Sequence, residues 1–130
     1  SHCMKFALED AGLSLSDITH VNAHGTSTPL NDAAESAAVA RLFGEHQPAM
    51  TSIKGVTGHS LGAAGAIEGI ALALSFKYGK IPPTMATTQV DPKIDADIVL
   101  EWRDWEPAPA LSNSFAFGGH NGSIVFAPAE

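Results

Sequence analysis

The fourteen residues from Ser52 to Gly65, Ser-Ile-Lys-Gly-Val-Thr-Gly-His-Ser-Leu-Gly-Ala-Ala-Gly, constrain this chain more than any other stretch. A short polar strand, Met50 to Ile53, is expected to enter it, and a long apolar helix, Ala63 to Tyr78, to leave it. Glycines at 55, 58, 62 and 65 let a backbone or a ligand approach without a Cβ in the way. A turn into a helix N-terminus aims free N–H groups and a partial positive charge at whatever sits there. Lys54 and His59 bring a cation and a titratable donor to the same spot. On residues alone this is the outline of an oxyanion or acyl-carbonyl site, or of a glycine-rich strand–helix junction used only for packing.

At 130 residues the chain is one domain with enough length for a core. Only 16% of its residues are charged, which suggests that much of its surface is covered by something else. A net charge of −7 argues against a nucleic acid or an anionic membrane surface as partner. The one cysteine, Cys3, cannot close an internal disulfide, which fits a reducing compartment. The start lacks a signal-peptide pattern. Ser1-His2 reads as a vector scar, and the sequence opens inside a helix, so a piece cut from a longer protein is expected.

Taken in order, Cys3 to Ala11 reads as the end of an amphipathic helix stopped by Gly12. Ile18 to Ala23 is β-branched and alternating, hence a strand, and it runs into the hydroxyl-rich loop His24-Gly25-Thr26-Ser27-Thr28-Pro29. Asp32-Ala33-Ala34-Glu35 resembles a capping box opening a helix that runs to Phe43 and Gly44. The helix from Ala63 is apolar almost all round and should be buried on most sides, though it is too short and glycine-rich to span a bilayer. Glu68 within it needs a partner, and Lys54 is the candidate. Residues 84–95 read as loop, Ile98 to Trp102 as a strand, and Ala110 to Ser114 with Ser123 to Ala127 as a hairpin bent at Phe115-Ala116-Phe117-Gly118-Gly119-His120. Alternating strands and helices followed by paired strands give an α/β class: a mixed sheet with helices packed on it and an antiparallel closing end.

Three strands end in glycines and hydroxyls, each with a histidine: His24, His59 and His120. Ligands of open α/β sheets bind beyond the carboxyl ends of strands, so these loops could share a site. Zinc-type spacings are absent and no carboxylate is obviously placed, so no metal is expected. His2 and His46 read as solvated. Gly58-His59-Ser60-Leu61-Gly62 also matches G-x-S-x-G, the elbow of serine hydrolases and acyltransferases. That elbow needs an apolar strand directly before it, and Thr51, Ser52, Lys54 and Thr57 stand there instead.

Val21-Asn22-Ala23-His24-Gly25-Thr26-Ser27-Thr28, then Lys54 with Gly58-His59-Ser60-Leu61-Gly62-Ala63-Ala64-Gly65, then Asn113-Ser114-Phe115-Ala116-Phe117-Gly118-Gly119, together resemble the C-terminal half of a β-ketoacyl-[acyl carrier protein] synthase. Asn22 and Ala23 are more similar to the stand-alone elongating enzymes of the second type than to modular polyketide ketosynthases. The resemblance implies a thiolase-like fold of two similar α/β halves, residues 1–130 forming the second. It implies decarboxylation of malonyl-carrier protein and condensation onto an acyl group held by a cysteine of the first half, in fatty-acid or related polyketide synthesis. By motif, His24 and His59 would bond the malonyl thioester oxygen, and Lys54 would order the site with Glu68 in support. Thr26 and Thr28 would hold the pantetheine arm, and Phe117, with Phe115, Gly118 and Gly119, would gate the acyl pocket.

The implied partners are the acyl carrier protein, the first half and a second copy in a cytoplasmic homodimer. The implied cofactor requirement is none beyond the carrier's phosphopantetheine. Two positions depart from the pattern: Ala116 replaces a usual glycine, and His120 a frequent threonine, so His120 receives no catalytic role. Cys3 lies outside any motif, reads as a small buried hydrophobe, and leaves the isolated chain without a nucleophile. A non-catalytic partner subunit of the same fold is opposed by retention of both histidines and the lysine. A degradative thiolase is opposed by the lack of a second cysteine.

Overall fold

The computed structural model describes residues 1–129. Its elements in chain order are α1 (His2–Ala11), β1 (His20–Asn22), α2 (Pro29–Phe43), β2 (Ala49–Thr51), α3 (Lys54–Thr57), α4 (Ala64–Tyr78), β3 (Lys80–Ile81), β4 (Arg103–Asp104), β5 (Ala110–Phe115) and β6 (Asn121–Phe126), with short 3₁₀ turns at Leu15–Asp17, Leu61–Ala63 and Phe117–Gly119.

One four-stranded sheet, in the order β2-β1-β5-β6, carries the fold. β1 runs parallel to β2 and to β5, whereas β5 and β6 form the antiparallel hairpin over six residue pairs from Ala110↔Phe126 to Phe115↔Asn121. Along β1, β2 and the first four residues of β5 both faces are covered, so these side chains alternate between two interiors, whereas β6 leaves Ile124 exposed. Val21, Met50 and Leu111 point toward α1 and α2, packing with Met4, Leu8, Val39 and Phe43. His20, Asn22 and Ser112 are buried as well, and the Asn22 amide donates to the Glu68 carbonyl of α4. The mixed sheet, the packed helices and the antiparallel end thus agree with the sequence reading.

Several local expectations need correction. β1 is three residues long, because Ile18 ends the preceding 3₁₀ turn and Ala23 begins the loop, although the Ala23 amide still donates to the Thr51 carbonyl. β2 stops at Thr51, since Ile53 caps α3. Ile98 to Trp102 is no strand: Ile98 makes one parallel bridge to Met50, and the pairing falls later, between Arg103–Asp104 and Lys80–Ile81. The capping box lies at Ser14 and Asp17, not at Asp32 and Glu35. Thr28-Pro29 starts α2 one turn earlier, which carries Glu35 into the interior. α4 begins at Ala64 and buries Ala64, Glu68, Leu72 and Ser75, but Ile70, Leu74 and Tyr78 are exposed, so within this chain one side of the helix is bare. No helix among the described residues is long and apolar enough to cross a membrane.

Candidate active site

The loops leaving β1, β2 and β5 meet at the carboxyl ends of these parallel strands. His24 follows β1 by two residues and is buried, at 7% exposure. Its backbone is held from below: the Glu35 carboxylate accepts from the His24 N–H through one oxygen and from the Gly25 N–H through the other, both at 3.0 Å. Asn113 of β5 donates to the same carboxylate at 3.2 Å and accepts from the Ser123 hydroxyl at 2.7 Å. Burial pushes the Glu35 carboxyl above its ordinary range, and these donors pull it back. Gly25 has φ +43°, and a Cβ there would lie 2.4 Å from the Ser52 Cβ, so only glycine fits this crossing.

Lys54, the first residue of α3, is buried beneath His24. Its ammonium pairs with the buried Glu68 carboxylate and lies 3.4 Å from His24 Nδ1. Burial first, then the Lys54 and His59 charges, lower the His24 imidazole to about 4, with Asp32 opposing. An ammonium can only donate, so the hydrogen-bond network makes His24 Nδ1 an acceptor and leaves the ring proton on Nε2. His59 repeats the arrangement on the other loop. Its Nδ1 accepts from the Leu61 N–H at 3.3 Å, which likewise places the ring proton on Nε2. Leu61 aims that N–H backward by adopting φ +49°, a costly conformation for a branched residue and one that concentrates at functional sites. The two imidazoles stand edge to face, centroids 5.4 Å apart at 86°. Two donors on one exposed-to-buried step suit an oxygen on which negative charge develops.

The remaining candidates surround this pair unequally. Phe115, half-buried at the end of β5, lies 6.0 Å from the His24 ring. Phe117 is fully exposed on the bend, where Gly118 and Gly119 both take positive φ. Thr26 and Thr28 share a hydrogen bond of 2.9 Å between their hydroxyls at the outer end of the first loop. His120 is exposed and returns only its carbonyl, to the Ala116 amide. Cys3 is half-buried against the core, with the Ser123 hydroxyl 3.3 Å from its sulfur. Ser60 caps the 3₁₀ turn with ordinary φ/ψ, and no side-chain hydrogen bond of its hydroxyl to a histidine occurs among the described residues, so the serine-nucleophile reading finds no activated serine. Among the described residues no group of three metal-ligating side chains comes together.

Sequence reasoning missed two buried groups. Glu35 carried a local capping signature that disguised its interior role. His20, 1% exposed on β1, bonds the Ala49 carbonyl through Nδ1 and abuts Trp105 edge-on, and burial lowers its imidazole to about 4. A strand covered on both faces offers no periodicity from which the burial of His20 could have been foreseen.

Residues 1–88 match the family model "Beta-ketoacyl synthase, C-terminal domain". A 3-oxoacyl-[acyl-carrier-protein] synthase 2 of Staphylococcus aureus is 46% identical over 97% of this chain and 32% of its own length. A β-ketoacyl synthase crystal structure from Burkholderia phymatum superposes with a TM-score of 0.93 at 43% identity, covering 98% of this chain and 31% of that one. A type II polyketide ketosynthase determined with its acyl-carrier protein superposes at 0.94 with 35% identity, covering 99% and 32%. The chain therefore spans about a third of the length of the relatives it matches, and carries the thiolase-like ketosynthase architecture. By motif, site geometry and similarity alike, it belongs to the β-ketoacyl synthase family as its C-terminal domain.

Proposed function

We propose that this chain is the histidine-bearing half of a 3-oxoacyl-[acyl carrier protein] synthase of the second, elongating type. The observation that carries this reading is the pair of Nε2 donors on His24 and His59, neutral at His24 because Lys54 and burial hold its proton affinity down. A malonyl thioester seated with its carbonyl oxygen between them would lose carbon dioxide as the C–C bond to the carboxylate breaks. The electron pair passes into the thioester enolate, whose oxygen keeps both hydrogen bonds. The enolate carbon then attacks the acyl thioester on the cysteine of the other half, and that thiolate leaves. Lys54, neutralised by Glu68, fixes the His24 tautomer, so that a donor and not a lone pair faces the enolate.

Thr26 and Thr28 lie at the loop end where a pantetheine arm would pass, and Phe117 on its glycine-flanked bend where an acyl gate would swing. The substrates arrive on acyl carrier protein, a class of partner found with a ketosynthase among the structural relatives, and no cofactor or metal of the chain's own is invoked. The bare side of α4 supports a covering half: an apolar groove of about 730 Å³, with Ile53, Val56, Ile70, Leu74, Tyr78 and Trp102 on its walls, runs beside it. We further propose that the assembled enzyme is a cytoplasmic homodimer.

The reading is tested with the whole synthase given acyl- and malonyl-carrier protein. Carbon dioxide and a 3-oxoacyl product are expected in equal amounts; a hydrolysed acyl group without carbon dioxide would contradict it. The 130-residue chain by itself should form no acyl adduct, because Cys3 is half-buried against the core and the group its sulfur meets is the Ser123 hydroxyl, which is no base.

A further inference from the structure

We propose that Ser52 is a positioning residue that sets the spacing of His24 and Lys54. Its hydroxyl donates to the Gly25 carbonyl at 2.9 Å and accepts from the Lys54 backbone N–H at 3.4 Å, so one oxygen ties the first catalytic loop to the start of α3. The two segments pack closely here: Ser52 Cβ fills the space that a side chain on Gly25 would need. Ser52 is itself anchored from behind. Its N–H donates to Thr84 Oγ1 at 3.3 Å, Thr84 Oγ1 meets Thr51 Oγ1 at 3.2 Å, and Thr51 donates to the Pro82 carbonyl at 2.8 Å. The Met85 carbonyl sits over Gly55, where a Cβ would approach to 2.1 Å, and so pins the first turn of α3 against the same strap.

Loss of the Ser52 hydroxyl frees the Gly25 carbonyl and the Lys54 amide together. Glu35 still holds the His24 and Gly25 amides, and Glu68 still holds the Lys54 ammonium, so the two loops remain folded but are no longer tied to each other. The His24 Nδ1–Lys54 Nζ contact is the coordinate that changes, and with it the fixed tautomer of His24. The catalytic meaning of this spacing rests on the proposed condensing function, whereas a titration reads the spacing itself, so the two can fail separately.

The test is an NMR titration of the His24 ring in the 130-residue chain, in the wild type, Ser52→Ala, Ser52→Cys and the double variant Lys54→Met/Glu68→Met. The charged groups bearing on His24 are Lys54, His59 and Asp32, and only Lys54 is tied through Ser52. Ser52→Ala should raise the His24 midpoint by about half a pH unit or more, Ser52→Cys by less, and the double variant at least as far as Ser52→Ala. Hydrogen-exchange protection of Val21 and Leu111 in the core should persist in each. Should Ser52→Ala not fold, Ser52→Cys carries the same comparison. A midpoint unchanged in both serine variants, or a rise accompanied by lost protection of Val21 and Leu111, overturns the proposal. So does a double variant that leaves His24 unmoved.

Discussion

The Glu35 carboxylate accepts the backbone N–H of His24 at 3.0 Å, from a helix position eleven residues further along the chain. A carboxylate that satisfies the loop's own backbone fixes where the imidazole starts, and leaves both ring nitrogens free for Lys54 and for a ligand. Glu35→Ala would strand the buried amide of His24 and the half-buried amide of Gly25 at a cost of about 2–5 kcal/mol, and Glu35→Gln, which keeps one acceptor oxygen, about 1–3 kcal/mol. Chemical denaturation of the two variants checks the order. Equal stability of wild type and Glu35→Ala would mean that those amides find other partners.

Lys54 and Glu68 form a buried pair, so removing either alone should cost more than removing both. Glu68→Ala leaves an uncompensated ammonium and is expected to destabilise by about 3–5 kcal/mol, whereas Lys54→Met/Glu68→Met should lose less than the sum of its single changes. A double-mutant cycle in urea measures the coupling. Additive single effects would indicate that the pair is solvated in solution.

The grouping of His24, Lys54, His59 and Glu68 was legible in the chain, and the Glu35 support beneath it was not. Glycines, hydroxyls and histidines beyond short strands announce a ligand edge, and an isolated Glu68 in an apolar helix announces a buried cation nearby. Glu35 was hidden because Asp32-Ala33-Ala34-Glu35 carries a helix-start pattern, while Thr28-Pro29 had already begun the helix and turned position 35 inward. Strand ends were misjudged for a related reason. In a sheet covered on both faces, the boundaries of β1 and β2 are set by parallel pairing with distant segments rather than by local alternation. The exposed side of α4 has a different origin: uniform apolarity gives the need for burial but not the surface that meets it.

Acid should weaken the fold through its buried histidines. His20 and His24 have folded-state values near 4, below the ordinary 6.5, so the unfolded chain binds more protons in the interval between. Stability is therefore complete above pH 6.5 and falls as the pH drops toward 4, with His20 contributing at most about 3 kcal/mol across that window. His20→Asn keeps a donor near the Nδ1 position and should flatten the dependence. Urea midpoints between pH 4 and 8 measure it, and an identical slope in the variant would assign the effect elsewhere.

Phe117 is fully exposed in this chain, so Phe117→Ala should change its unfolding free energy by no more than about 0.5 kcal/mol. In the whole synthase the same change should broaden the range of acyl chains transferred, because an aromatic between Ala116 and two glycines of positive φ is free to act as a gate. Transfer rates across a series of acyl-carrier substrates test this. A large stability loss with an unaltered acyl profile would make Phe117 a packing residue.

The two-donor oxyanion site is tested most directly by following carbon dioxide release from malonyl-carrier protein and acyl transfer to the nucleophilic cysteine side by side, in the whole synthase carrying His24→Ala or His59→Ala. Each substitution removes one Nε2 donor and should lower decarboxylation by about 10²–10³-fold or more, leaving acyl transfer within a few-fold of wild type. Decarboxylation that survives both substitutions, or acyl transfer that falls in step with it, would contradict the account.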